Sequence, residues 1–66
     1  MRNRVRELRK RKGLTQEQLA EVIGVSRQTI NAIEKGKFDP SLPTAFKMSK
    51  LFDRPIEDFF LFDGIE

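Results

Sequence analysis

The chain has 66 residues, with thirteen Lys and Arg against ten Asp and Glu, six Phe, and neither cysteine nor histidine. A chain of this length buries only about 60% of the surface its unfolded form exposes, and without cysteine no disulfide or thiolate metal site reinforces the core. Without histidine the usual general base and imidazole ligand are missing too, so we expect neither catalysis nor a metal or other cofactor.

Residues 3–12 carry Val5 and Leu8 three apart with Arg9 and Lys12 on the same stripe, which predicts a first helix closed by Gly13. Thr15 is the natural N-cap of a second helix, with Gln18 completing a capping box and Leu19, Ala20 and Ile23 forming its buried stripe before Gly24. Ser26 caps a third helix over 27–35, which turns Ile30 and Ile33 inward and stops at Gly36. Asp39-Pro40 makes a loop. Ser41 caps a fourth helix, in which Leu42, Ala45, Phe46, Ser49 and Phe52, with Met48 beside them, make the expected buried face up to Asp53. Pro55 opens a last short helix through Phe59, and the tail Phe60-Leu61-Phe62 leads to a turn or frayed end at Asp63-Gly64. No apolar run approaches the roughly 20 residues of a membrane span, and the basic N-terminus does not lead into a signal-peptide core. We therefore expect one soluble domain over 1–66, all-α and five-helical, in the cytoplasm.

Charge is distributed unevenly along these elements. Residues 1–12 hold seven bases against Glu7, residues 13–37 are balanced, and residues 38–66 hold three bases against six acids. One end attracts phosphate and the other repels it.

Thr15-Gln16 opening a helix, Leu19-Ala20, Gly24-Val25-Ser26 at a turn, Ile30, and Ile33-Glu34 before Gly36-Lys37 together form a pattern that resembles the helix-turn-helix of the Cro and phage-repressor family, also called the xenobiotic-response-element type. The resemblance extends back to Leu8-Arg9 and forward through Pro40-Ser41-Leu42 to Phe60, and implies a compact lambda-repressor-like domain whose tail has room for a short extended segment. Two departures stand out: Asp53-Arg54 occupies the place of a glycine and an apolar residue, and Ser49 that of a common alanine. The spacing also has its own physical rationale. Ala20 is small where two helices meet, Gly24 accepts a left-handed turn conformation, and Val25 fills the space between the helices.

At 100° per residue, Ile30 and Ile33 face inward and Arg27, Gln28, Asn31 and Lys35 occupy the opposite sector. Arginine pairs with guanine O6 and N7, and glutamine or asparagine with adenine N6 and N7, so Arg27, Gln28 and Asn31 are the expected base-contacting residues. Gln16 at the start of the second helix, Ser26, Lys35, Lys37 and Lys12 are the expected phosphate contacts, Gln16 because the resemblance implies it and because unpaired backbone N–H groups there favour an anion. Arg9 shares the inner stripe of the first helix and Glu34 borders the core face of the third, which reads as a structural ion pair; the competing reading makes Arg9 another phosphate contact.

These features imply a sequence-specific double-stranded DNA-binding transcriptional regulator, most simply a repressor that occupies a palindromic operator on the nucleoid of a prokaryote. No small-molecule ligand and no membrane partner are expected. Phe59-Phe60-Leu61-Phe62 is four consecutive large apolar residues that one small core cannot all absorb. A homodimer through the C-terminal region 51–63, chiefly Leu51, Phe59, Phe60, Leu61 and Phe62, is therefore expected. The alternative is an antitoxin or adaptor that uses the same fold mainly to hold a protein partner. Retention on specific DNA separates the two.

Overall fold

The structure is a computed structural model that describes residues 1–62. Its described residues form a short strand β1 (Arg2–Asn3), the helices α1 (Val5–Arg11), α2 (Gln16–Ile23), α3 (Arg27–Glu34) and α4 (Leu42–Phe52), a single 3-10 turn (Ile56–Asp58) and a strand β2 (Phe60–Leu61). The expected fifth helix is thus one 3-10 turn, and the described residues hold four α-helices. The chain after Pro55 has too few residues before β2 to complete an α-helical turn of its own. The turn read at Asp63-Gly64, and the last residue of the 51–63 region, lie outside the described residues.

Each α-helix except the first starts on a side-chain cap. The Gln18 N–H donates to Thr15 Oγ1 (3.0 Å) while the Thr15 N–H donates to Gln18 Oε1 (2.9 Å), a reciprocal box. Ser26 Oγ accepts from the Thr29 N–H (3.0 Å) and Ser41 Oγ from the Thr44 N–H (3.3 Å). α1 begins two residues later than its apolar spacing predicts, because Asn3 belongs to β1, where its Oδ1 accepts from the Val5 N–H (3.1 Å) and its Nδ2 donates to the Ile33 carbonyl (2.8 Å).

The turn between α2 and α3 closes at Gly24, whose φ of 88° lies in the left-handed region. α4 ends the same way on Asp53, φ 55°, the one non-glycine among the described residues with positive φ. The Arg54 N–H returns to the Ser49 carbonyl (3.2 Å), and the Ser49 hydroxyl donates to the Arg54 carbonyl. The two departures from the family pattern, Ser49 and Asp53-Arg54, therefore meet in one helix-ending turn.

Antiparallel pairing of β1 with β2 sets Arg2 opposite Leu61 and Asn3 opposite Phe60. The core gathers Val5 and Leu8 of α1, Leu19, Ala20 and Ile23 of α2, Ile30 and Ile33 of α3, and Ala45, Met48 and Phe52 of α4, with Phe59 and Phe60. Phe59 is fully buried and meets Phe52 edge to face, ring centres 5.4 Å apart. Two residues expected in the core lie outside it: Leu42 is 66% and Phe46 54% exposed. α4 buries the sector of Thr44, Ala45, Met48 and Phe52 instead. On that wheel Leu42 and Phe46 fall about 100° or more from the centre of the buried sector, beyond the reach of the other helices.

Candidate nucleic-acid interface

α2 and α3 enclose a cleft on the side away from the core, lined by Arg6, Thr15, Gln16, Arg27, Asn31 and Lys35 among others, with Arg9 and Glu34 at its floor. Arg27 and Gln28 are exposed in the first turn of α3, and Asn31, one turn on, is half-buried against Gln16. Lys35 and Lys37 are exposed just beyond the helix, where the Lys37 N–H returns to the Ala32 carbonyl (3.0 Å) and fixes the exit of the chain. Ser26 is exposed at the opposite end, its hydroxyl shared between the Thr29 N–H and the Thr29 hydroxyl.

The floor of the cleft is an ion pair. Arg9 Nε lies 2.7 Å from Glu34 Oε2 and Nη2 3.3 Å from Oε1, while Nη1 donates to the Leu14 carbonyl at 2.8 Å. The two side chains are only 10% and 4% exposed. Each guanidinium nitrogen donates to a protein acceptor, and such pairing is what makes a buried charged pair tolerable.

The Gln16 side chain, expected at a phosphate, is turned toward the protein. Its Nε2 donates to Asn31 Oδ1 (3.2 Å) and to Glu34 Oε1 (3.1 Å), so both amide hydrogens are engaged inside the protein. What Gln16 offers a phosphate is its backbone N–H at the start of α2, beside the positive end of the helix dipole.

Lys12 is not brought into this cleft. It lies with Leu8, Arg11, Phe52 and Arg54 around a separate hollow at the far end of α4. Arg6, one of the outward-facing bases of α1, and Thr15, the cap of α2, line the cleft instead. The signal for Arg6 was available, since it flanks Arg9 on the side of α1 that turns toward α3. On the other flank of α1, Glu7 accepts from Arg4 (2.8 Å) and pairs with Arg11 (3.0 Å). The Arg4 hydrogen bond is the main reason its carboxyl titrates below the ordinary glutamate range.

Of the five residues expected at a dimer surface, Phe59 and Phe60 are buried in the core of the single chain, because β1–β2 pairing folds the tail back over α4. That assignment is corrected for Phe59, which has no surface to present; Phe60 reaches the surface by one edge only. Leu51 and Leu61 are half-buried and Phe62 is 61% exposed. Phe62 and the edge of Phe60 line an apolar groove with Met1, Leu42, Ala45 and Ile56.

No described helix is long and apolar enough to cross a membrane. The helix-turn-helix family model matches residues 5–59, from the start of α1 to Phe59 just after the 3-10 turn. Over all 66 residues the chain is 54% identical to an uncharacterized HTH-type transcriptional regulator of Methanocaldococcus jannaschii, covering all of it, and 52% identical to one of Archaeoglobus fulgidus, covering 94% of it. Its backbone resembles the restriction-modification controller protein C.AhdI of Aeromonas hydrophila, with a TM-score of 0.75, 37% identity and 86% of each chain covered. It is also similar to the N-terminal DNA-binding domain of SinR from Bacillus subtilis, with a TM-score of 0.76, 30% identity, and 96% of this chain and 91% of that one covered. With its capping box, left-handed glycine turn and polar outer face on α3, the chain belongs to the Cro and phage-repressor type of helix-turn-helix transcriptional regulators, a family of DNA-binding proteins and not of enzymes.

Proposed function

We propose that this DNA-binding regulator is a dimeric repressor that occupies a palindromic operator, with α3 in the major groove. The observation that carries the reading is the outer face of α3: Arg27 and Gln28 exposed, Asn31 beside them at the cleft, and no apolar side chain among the three. Arg27 and Gln28 have the donor and acceptor geometry to pair with base edges. Lys35 and Lys37, with Ser26 and the backbone N–H of Gln16, hold the phosphates on either side and set the register without reading sequence. Repression follows from occupancy, since a domain of this size blocks a promoter simply by lying across it.

The apolar groove supports a second copy docking at this face. Phe62 and Leu42 are exposed, and Ile56 and the edge of Phe60 continue the same surface. Leu51 and Leu61, both half-buried, are the other members of the expected interface. Six acidic residues against three basic ones after residue 37 suit a position away from phosphate. A two-fold axis through this region sets two α3 helices about 34 Å apart, one turn of the duplex, so that the symmetry of the protein becomes the symmetry of the site.

Selection of bound sequences from a random duplex pool tests the proposal. The expected product is a palindrome with half-sites one helical turn apart. A single unrepeated half-site at full affinity would refute the dimer, and failure to enrich any sequence would refute specific DNA recognition and leave the adaptor reading in its place.

A further inference from the structure

We infer that Asn31 reads its base with hydrogen-bond donors alone and selects guanine over adenine, because Gln16 holds the Asn31 amide in a single orientation. The inference rests on the reading that α3 enters the major groove.

The orientation follows from a chain of groups whose polarity is not free. A guanidinium only donates and an ionised carboxylate only accepts. Arg9 therefore fixes Glu34 as the acceptor, at 2.7 Å and 3.3 Å. Glu34 Oε1 in turn demands a donor from Gln16, and it receives the Nε2 amino group at 3.1 Å. The other hydrogen of that same amino group points at Asn31, 3.2 Å away, where only an oxygen can accept it. Asn31 must present Oδ1 inward, and its Nδ2 is turned outward. Among the described residues no buried side-chain nitrogen or oxygen lacks a partner, and no protein acceptor takes Nδ2, so this amino group opens to solvent at the cleft shared with Gln16, Arg27 and Gln28.

An asparagine that recognises adenine uses both ends of its amide, the oxygen accepting from N6 and the nitrogen donating to N7. Here the oxygen is turned toward Gln16 and accepts from its amide. The edge that suits a lone amino group carries acceptors only, and guanine with O6 and N7 is the base that offers two side by side. Cytosine presents a donor to it and is excluded. Gln16 is thus a positioning residue that sets the reading preference of its neighbour, relaying the polarity of a buried ion pair to the surface of α3. The pairing of asparagine with adenine expected from residue type alone is replaced by a preference that depends on the second helix.

The test is sequence selection on the full chain, followed by competition between duplexes that differ at one base pair. The position read by Asn31 is the one whose preference disappears in Asn31→Ala. There the wild-type protein should bind guanine about tenfold more tightly than adenine, and Gln16→Leu should bring that ratio to about twofold or reverse it, since the released amide is free to turn its oxygen toward adenine N6. Thermal melts establish that the variant is folded. Asn31→Asp is a second, independent test, because it retains an acceptor for Gln16 and replaces the outward donor by another acceptor; cytosine should then displace guanine at that position. Adenine preferred by the wild-type protein, a guanine preference unchanged in Gln16→Leu or in Asn31→Asp, or no position responding to Asn31→Ala would each overturn the inference while leaving sequence-specific DNA binding intact. Failure of the wild-type protein to enrich any sequence would instead sink the function on which it rests, and the inference with it.

Discussion

Replacing Arg9 by alanine should be among the most damaging single changes in this domain, and the structure says why. The guanidinium supplies donors to both oxygens of Glu34 and to the Leu14 carbonyl, and the pair is nearly closed to water, at 10% and 4% exposure. Without it Glu34 keeps only the amide of Gln16, a neutral donor, against a full negative charge. Breaking a buried pair from one side costs about 3 kcal/mol or more, because the loss is set by the charge left behind. In a domain of this size each kcal/mol lowers the melting temperature by roughly 4–8 °C, so a fall of about 15 °C is expected by circular dichroism. Arg6→Ala removes the same charge from an exposed position on the same helix and should move the melt by no more than about 0.5 kcal/mol. A double variant, Arg9→Met with Glu34→Leu, should recover at least half the loss, since it removes the stranded carboxylate together with its partner. Equal melting temperatures for Arg9→Ala and Arg6→Ala would refute the structural role and return Arg9 to the phosphate contacts.

Gln28→Ala should cost about 1–3 kcal/mol on the operator and relax preference at one base position while barely changing nonspecific binding, as read by competition binding. Lys37→Ala should weaken binding to every sequence alike and reduce the slope of log affinity against log salt by about one unit, as one released counterion is lost. Asp53→Gly should stabilise the domain by about 0.5 kcal/mol in urea denaturation, because relief of the left-handed conformation slightly outweighs the added freedom of the unfolded chain; a loss of stability would mean that the Asp53 side chain contributes more than its backbone costs. Phe62→Asp should sediment as a folded monomer at micromolar concentration with much weaker operator binding, and an unchanged dimer would move the interface away from the Phe62 groove.

What the sequence disclosed was whatever a short range of residues determines. The caps at Thr15, Ser26 and Ser41 and the turn at Gly24 were legible because each involves residues within four positions of one another. The strand pair was not, since two residues cannot display a period, and β1 exists only because a segment 57 or more residues distant lies beside it. α4 shows a different limit. Its apolar residues cover more of the helix than the neighbouring elements can bury, and nothing local distinguishes Ala45 and Met48, which go in, from Leu42 and Phe46, which stay out. At the candidate site, residue types were legible and partnerships were not. That Gln16 spends its amide on Asn31 and Glu34 depends on how α2 is set against α3, a property of the packed domain.

The same packing explains how a recognition helix of eight residues is held in place by so small a core. Isolated, a helix of this length is marginal in water, so its geometry must come from what is attached to it. The start of α3 is fixed by the Ser26 cap, its inner face by Ile30 and Ile33, both fully buried, and its last turn by two contacts from the opposite end of the chain. Glu34 is held by Arg9 of α1, and the Ile33 carbonyl by Asn3 of β1 at 2.8 Å. Asn3 pairs with Phe60 in β2, next to the apolar groove proposed to receive the second copy. A hydrogen-bonded connection of three residues, Phe60 to Asn3 to Ile33, thus joins the proposed dimer surface to the end of the reading helix. In a two-fold dimer this makes the spacing and tilt of the two α3 helices a direct function of the interface. Substituting Asn3 by alanine should accordingly leave the core residues in place but broaden the half-site spacings that the protein accepts, an outcome that selection with spacer-randomised operators would read.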